Sequence, residues 1–175
     1  MSRAAEHHHR DRKDLCIGVV TVSSSRDALA KDGKEFTDES GDNACNAAKE
    51  HGFRVTFRKL VGDDMIDIRL ALSEGLAAGL VDALVFIGGT GAASSDVTPE
   101  AVEPILKKDL PGFGELFRQR SSQKIGAMSA LSRAMAGTVD EVAVFCLPGS
   151  PEGSALGMEI VLEVLPHLRA VLGPP

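Results

Sequence analysis

No tryptophan and no tyrosine occur among the 175 residues, and seven phenylalanines are the whole aromatic content. That leaves few stacking platforms for a protein that grips single-stranded nucleic acid. No block of Lys or Arg stands outside the first fifteen residues and the formal net charge is -6, which argues against a nucleic-acid footprint. The three cysteines, Cys16, Cys45 and Cys146, are far apart and form no C-x-x-C. A disulfide framework is not expected, and a reducing cytoplasm fits. No signal peptide and no apolar run of transmembrane length are visible, so no membrane partner is expected. No G-x-S-x-G is present and the five histidines lie mostly near the start, so a Ser-His-Asp triad lacks its parts.

What is present is an ordinary globular balance, 43% apolar and 25% charged. The length suits one domain with a sizeable core, assigned to residues 15–175. Residues 1–14, "MSRAAEHHHRDRKD", are polar with mixed charge and read as a mobile arm. His7, His8 and His9 lack a second shell there and read as solvated.

Short β-branched runs alternate with helical patterns. "LCIGVVTV" (15–22) reads as a buried strand, followed by a polar loop through "RDALAKDGKEFTDESGD". A helix is expected from Ser40 or Asp42 to Gly52, then a half-buried, edge-like strand over 53–61. Met65, Ile68, Leu72 and Leu76 repeat at helical spacing. Ala83 to Ile87 and Glu141 to Leu147 read as further strands. Thr98 is an expected N-cap with Pro99 at N1, and helical patterns cover 99–108, 113–120 and 127–135. The last helix carries Pro166, which should kink or break it. Strands alternating with helices predict an α/β fold with a mostly parallel sheet and helices on both faces. Parallel strands would bring the loops after four of them to one edge, where such folds bind ligands.

Those loops hold the unusual chemistry. Gly88-Gly89-Thr90-Gly91 offers close backbone approach and an anion-binding nest, or else a plain tight turn. No Gly-Lys-Ser/Thr follows, so it is not a Walker A loop. Its place after the third strand, with Ser94 where a dinucleotide fingerprint wants Gly or Ala, disfavours a nicotinamide cofactor. Asp96 reads equally as an Asx-turn residue or as a Mg²⁺ ligand beside bound phosphates. One of Asp63 and Asp64 reads as the cap of the next helix, and a carboxylate from this strand end and one from the glycine loop could share one hard cation with phosphate oxygens. Ser40-Gly41 and Pro148-Gly149-Ser150 each read as a helix cap or as a small anion-binding turn. Lys124, Arg118 and Arg133 read as helix residues, solvated or meeting phosphate.

"TVSSSRD", "DESGD", "GGTG" with "SSDVTPEAV", "LPGFGELFRQ", "LSRAMAG" and "FCLPGSPEG" occur in that order. Together they resemble the MoaB/MogA family of molybdenum-cofactor biosynthesis proteins over about residues 15 to 170. The polar arm and "DESGD" look most like archaeal MoaB-type members. The resemblance implies a three-layer α/β/α domain whose mixed sheet has one antiparallel strand, in a homotrimer or a dimer of trimers. It implies transfer of AMP from Mg-ATP to the terminal phosphate of molybdopterin, with release of pyrophosphate. It further implies hand-over of the product to a metal-insertion protein.

Carried over by motif, Gly88, Gly89, Thr90 and Gly91 match the family's glycine loop, and Asp96 its essential aspartate. Asp63 matches a second essential aspartate; Gly62 and Asp64 replace Pro and Glu beside it. Asp63 and Asp96 are thereby the expected catalytic and Mg²⁺-holding pair. Ser40, Gly41, Pro148, Gly149 and Ser150 match segments associated with the pterin and its phosphate. Some bacterial members lack the aspartate that Asp63 matches and are thought inactive in adenylylation. A non-catalytic pterin-binding scaffold is therefore the alternative function, and Asp63 favours the enzyme.

Overall fold

A computed structural model of the protein describes residues 15–79 and 81–173. The arm expected over residues 1–14 lies outside the described residues. One sheet is built from β1 (Cys16–Val22), β2 (Arg54–Val61), β3 (Ala83–Ile87), β4 (Lys108–Asp109), β5 (Met135–Val139) and β6 (Val142–Leu147). Its order is β2-β1-β3-β6-β5-β4. β1 is parallel to β2 and β3, and β3 to β6, while β5 is antiparallel to both β4 and β6. All five residues of β3 are buried, as a central strand covered on both faces requires. β2 lies at the edge, and its charged residues Arg54, Arg58 and Lys59 discourage pairing with another sheet.

The helices are α1 (Ser24–Lys31), α2 (Glu39–Glu50), α3 (Met65–Ala77), α4 (Thr98–Val102), α5 (Pro111–Ile125) and α6 (Pro151–Leu172). The period of two in the strands sorts their side chains between two cores. Ile17, Val19, Val85, Ile87 and Phe145 pack with residues of α2, α5 and α6. Val20, Val22, Leu84, Phe86 and Val144 pack with residues of α3 and α4. The result is the expected three-layer α/β/α architecture with a mostly parallel mixed sheet. At the amino ends of the strands, Asp82 accepts the Cys16 N–H at 2.8 Å and Arg169 Nε at 2.6 Å. One carboxylate thus fastens the first strand, the third and the end of the last helix.

Several local expectations change. The polar loop after β1 contains α1, which Ser23 caps and an Asp27–Lys31 pair at 2.6 Å supports. None of its residues is buried, so no apolar stripe announced it. The helix expected over 99–108 stops at Val102 and tightens into a 3₁₀ turn over Glu103–Ile105. Pro104 has no N–H with which to continue the α ladder. The helix expected over 127–135 is a 3₁₀ segment, Gly126–Leu131, followed by β5. A β-carbon on Gly137 would stand 2.6 Å from the Lys108 carbonyl oxygen, so this strand needs a glycine that weakens its sequence signature. Pro166 does not break α6, which runs unbroken from Pro151 to Leu172. Leu162 and Leu165 are buried beside it, and that packing offsets the one missing hydrogen bond.

Candidate active site at the carboxyl ends of the strands

β1, β2, β3 and β6 are parallel, so the loops that follow them gather at one edge of the sheet. Gly88 and Gly89 open the β3 loop at φ 115° and 64°, in the left-handed range. A β-carbon on Gly88 would overlap the Val22 carbonyl oxygen, and one on Gly149 would stand 3.2 Å from the Gly88 α-carbon. Three strand ends are therefore in backbone contact. The Gly88 N–H donates to Leu147 O at 3.0 Å, and the Thr98 N–H donates to Gly89 O at 3.0 Å. Thr98 is the first residue of α4 rather than its cap: its hydroxyl donates to Gly88 O at 2.8 Å. Thr90 is buried and Gly91 exposed.

Two aspartates border this loop. Asp63 Oδ2 accepts both the N–H and the hydroxyl of Ser24, each at 2.8 Å. The Asp63 N–H in turn donates to Ser24 Oγ at 2.9 Å. Asp63 Oδ1 would be 3.1 Å from a β-carbon on Gly89. The capping role falls to Asp64, whose Oδ1 accepts the Ile66 and Asp67 N–H groups at 2.8 and 3.1 Å. Asp96 Oδ2 accepts the Ala93 N–H at 3.0 Å and would be 2.6 Å from a β-carbon on Gly91. Asp96 thus makes a local turn and still faces the glycine loop.

The segments around α2 and α6 also meet. Ser40 is buried, and its hydroxyl donates to Gly149 O at 2.9 Å. Asp38 caps α2 by accepting the Gly41 N–H at 3.2 Å, and Ser150 caps α6 by accepting the Gly153 N–H at 3.2 Å. Ser40 and Ser150 therefore have their side chains engaged already. An anionic group here would be met by first-turn amides of two helices.

Residues 18–169 match the family described as "Probable molybdopterin binding domain". The chain belongs to the MoaB/MogA molybdopterin-binding family. It is 38% identical over 165 residues to molybdenum cofactor biosynthesis protein B of Bacillus cereus, covering 93% of this chain and 94% of that one. It is 37% identical over 172 residues to molybdopterin adenylyltransferase of Pyrococcus furiosus, covering 94% and 97%. Among solved structures, tungsten cofactor synthesizing protein MoaB from Pyrococcus furiosus superposes with a TM-score of 0.76 at 34% identity, over 90% of this chain and 98% of that one.

For this member of the MoaB/MogA family, two side chains at the site have roles that sequence reasoning did not assign. Ser24 holds Asp63; the hydroxyl triplet after β1 was its only signal. Arg133 is not helical: its Nε donates to Gly91 O at 2.9 Å and its Nη2 to Asp96 O at 2.8 Å. Its Nη1 pairs with Glu100, whose carboxyl this contact holds below its ordinary range. No local pattern reveals such a long-range contact.

Hard carboxylate oxygens suit Mg²⁺. Asp63 Oδ1 and Asp96 Oδ1 accept no hydrogen bond from the described residues, while their Oδ2 atoms are held in place. Among the described residues no three His, Cys, Asp or Glu side chains gather to hold a metal ion. A free oxygen on each carboxylate beside the glycine loop suits a hard ion that takes few protein ligands and completes its shell with phosphate oxygens and water.

Behind the loop, burial alone would raise the pKa of Asp38. The Thr21 hydroxyl, Arg58 and the Gly41 N–H outweigh that and hold it below the ordinary value. A carboxyl depressed in the folded state stabilises at pH values above its unfolded pKa, and that contribution is lost as pH falls through the folded one. Asp38→Asn should therefore cost about 2 kcal/mol at pH 7, the scale of hydrogen bonds to a charged group. The difference from the unsubstituted chain should shrink once pH drops below about 4. Urea unfolding at several pH values reads this; a gap independent of pH would contradict it.

Proposed function

We propose that this chain is a molybdopterin adenylyltransferase, transferring AMP from Mg-ATP to the terminal phosphate of molybdopterin and releasing pyrophosphate. The observation that carries the reading is that Asp63 and Asp96 both border the Gly88–Gly91 loop, while Asp64 takes the capping role that would otherwise occupy Asp63. The Pyrococcus furiosus relative that bears this activity's name supports it.

A terminal pterin phosphate oxygen forms a bond to the α-phosphorus of ATP. The bond from that phosphorus to the bridging oxygen of the β-phosphate breaks, and pyrophosphate leaves. The attacking phosphate is already ionised at neutral pH, so a site without a strong base suffices. The glycine loop gives the triphosphate room and amide donors. The first turns of α2 and α6, with Ser40, Gly41, Pro148, Gly149 and Ser150, receive the pterin phosphate. Asp63 and Asp96 would hold Mg²⁺, which when bound neutralises charge on the triphosphate. Catalysis then rests on positioning and preorganised charge.

The same family likeness supports a homotrimer or a dimer of trimers, cytoplasmic work, and delivery of the adenylylated pterin to a metal-insertion protein. Light scattering that returned a stable monomer at micromolar concentration would remove the trimer. No helix among the described residues is long and apolar enough to cross a membrane.

Mixing the protein with molybdopterin and Mg-ATP should yield adenylylated pterin and pyrophosphate in equal amounts, resolved by chromatography. Pterin binding without product under any divalent metal would make the chain a scaffold instead.

A further inference from the structure

The loop from Gly91 to Asp96 has little to hold it. Residues 91–95 are exposed, and none contributes to either core. Within it, the Ala93 N–H meets Asp96 Oδ2, and the Asp96 N–H meets Ala93 O at 3.0 Å. Such a turn shapes the loop but does not fix it against the rest of the molecule. The brace comes from elsewhere in the chain. Arg133 follows the 3₁₀ segment and precedes the buried Ala134. One edge of its guanidinium reaches the carbonyl at the start of the loop and the next reaches the carbonyl at its end. The third lies on Glu100 in the first turn of α4.

We propose that Arg133 is a positioning residue for AMP transfer: it closes the two ends of the Gly91–Asp96 loop and so aims the Asp96 carboxylate. The proposal rests on Asp96 being a metal-holding carboxylate, the reading given above. A planar fork with fixed donor directions can bridge two carbonyls and a carboxylate at once. A lysine ammonium is a single mobile point charge and cannot hold all three. Arg133 therefore acts through the backbone, and its donors are already engaged rather than waiting for a phosphate. Its contacts reach neither α2 nor the start of α6, so its influence falls on the nucleotide side of the site alone.

The test compares Arg133→Lys and Arg133→Ala with Asp96→Asn in the full chain. Misplacing a reacting constellation by about 1 Å costs on the order of a hundredfold, so Arg133→Ala should lower kcat/KM for Mg-ATP on that scale. The Mg²⁺ concentration for half-maximal rate should rise in both Arg133 variants, and added guanidinium ion should restore part of the Arg133→Ala loss. The Kd for molybdopterin should not move. Without any substrate, amide hydrogen exchange should speed up at residues 91–96 and stay unchanged in α2. If pterin affinity and thermal midpoint fall in step with rate, Arg133 is a general brace and the proposal fails. If Arg133→Lys transfers AMP at the normal rate while Asp96→Asn does not, the proposal fails alone. If Asp96→Asn is itself normal, the underlying reading fails. Should Arg133→Ala not fold, Arg133→Lys with the exchange measurement decides.

Discussion

Asp63→Asn and Asp96→Asn should each slow AMP transfer by about two or more powers of ten while molybdopterin stays bound. An amide keeps the shape of the carboxylate but removes the charge that draws a divalent ion. That loss falls on an interaction which strengthens as charge develops toward the transition state. Folding should hardly notice. At position 63 the amide oxygen can still accept from Ser24, and α3 keeps its cap because Asp64 supplies it. At position 96 the Ala93 N–H still finds an oxygen. The double variant should be far from additive, as the proposal that both side chains serve one ion requires. Single-turnover transfer from labelled ATP, beside pterin binding measured directly, separates the two effects. Normal transfer in both single variants would end the metal assignment.

Gly88→Ala should damage both stability and transfer. Gly88 sits at φ 115°, where an L side chain is strained. Its β-carbon would overlap the carbonyl oxygen of Val22, a main-chain atom at the end of β1 that no rotamer change can move. Strain and overlap together should cost about 3 kcal/mol or more, and the shifted loop should no longer support transfer. Gly91→Ala is the contrast. There the new methyl meets the Asp96 carboxylate at 2.6 Å, a side chain able to turn away, so activity should fall while stability holds. Urea unfolding of the two variants together is the measurement; equal stability would contradict the close approach at Gly88.

The convergence of these loops on a candidate site was legible in the sequence because strand runs and loop chemistry are both local properties. "LCIGVVTV" and the run from Ala83 to Ile87 read as buried strands, and parallel order, if adopted, would send Ser23, Asp63, Gly88 and Pro148 to one edge, as the sheet does. What stayed hidden depended on partners distant in sequence. Asp63 and Asp64 look alike by residue type, and which of them caps α3 depends on the fold: Ser24, reached across the β1–β2 crossover, holds Asp63, and Asp64 takes the cap. Thr98 has the spelling of a cap, yet its hydroxyl reaches back to Gly88. α1 carried its cap and its ion pair in the sequence, but a helix with no buried side chain has no periodicity to read. β5 is held by neighbours on both sides rather than by its own propensity, so "MAGTV" drew no strand reading and its Met135 passed for the end of a helix.

The sheet order has a consequence for how the chain reaches this state. β3 lies between β1 and β6, and the Gly88 amide finds its acceptor only in Leu147, near the end of the last strand. Pairings between distant segments form slowly, because the intervening chain must be confined before the contact rewards it. As the chain emerges during synthesis, β1, β2 and β3 are available to associate long before β6 exists. A nascent chain stopped at Asp140 would already carry Asp63, the glycines, Asp96 and Arg133, yet the loop would have no floor beneath it. Catalytic competence should therefore appear late and abruptly, with the arrival of β6 and its Pro148–Ser150 turn.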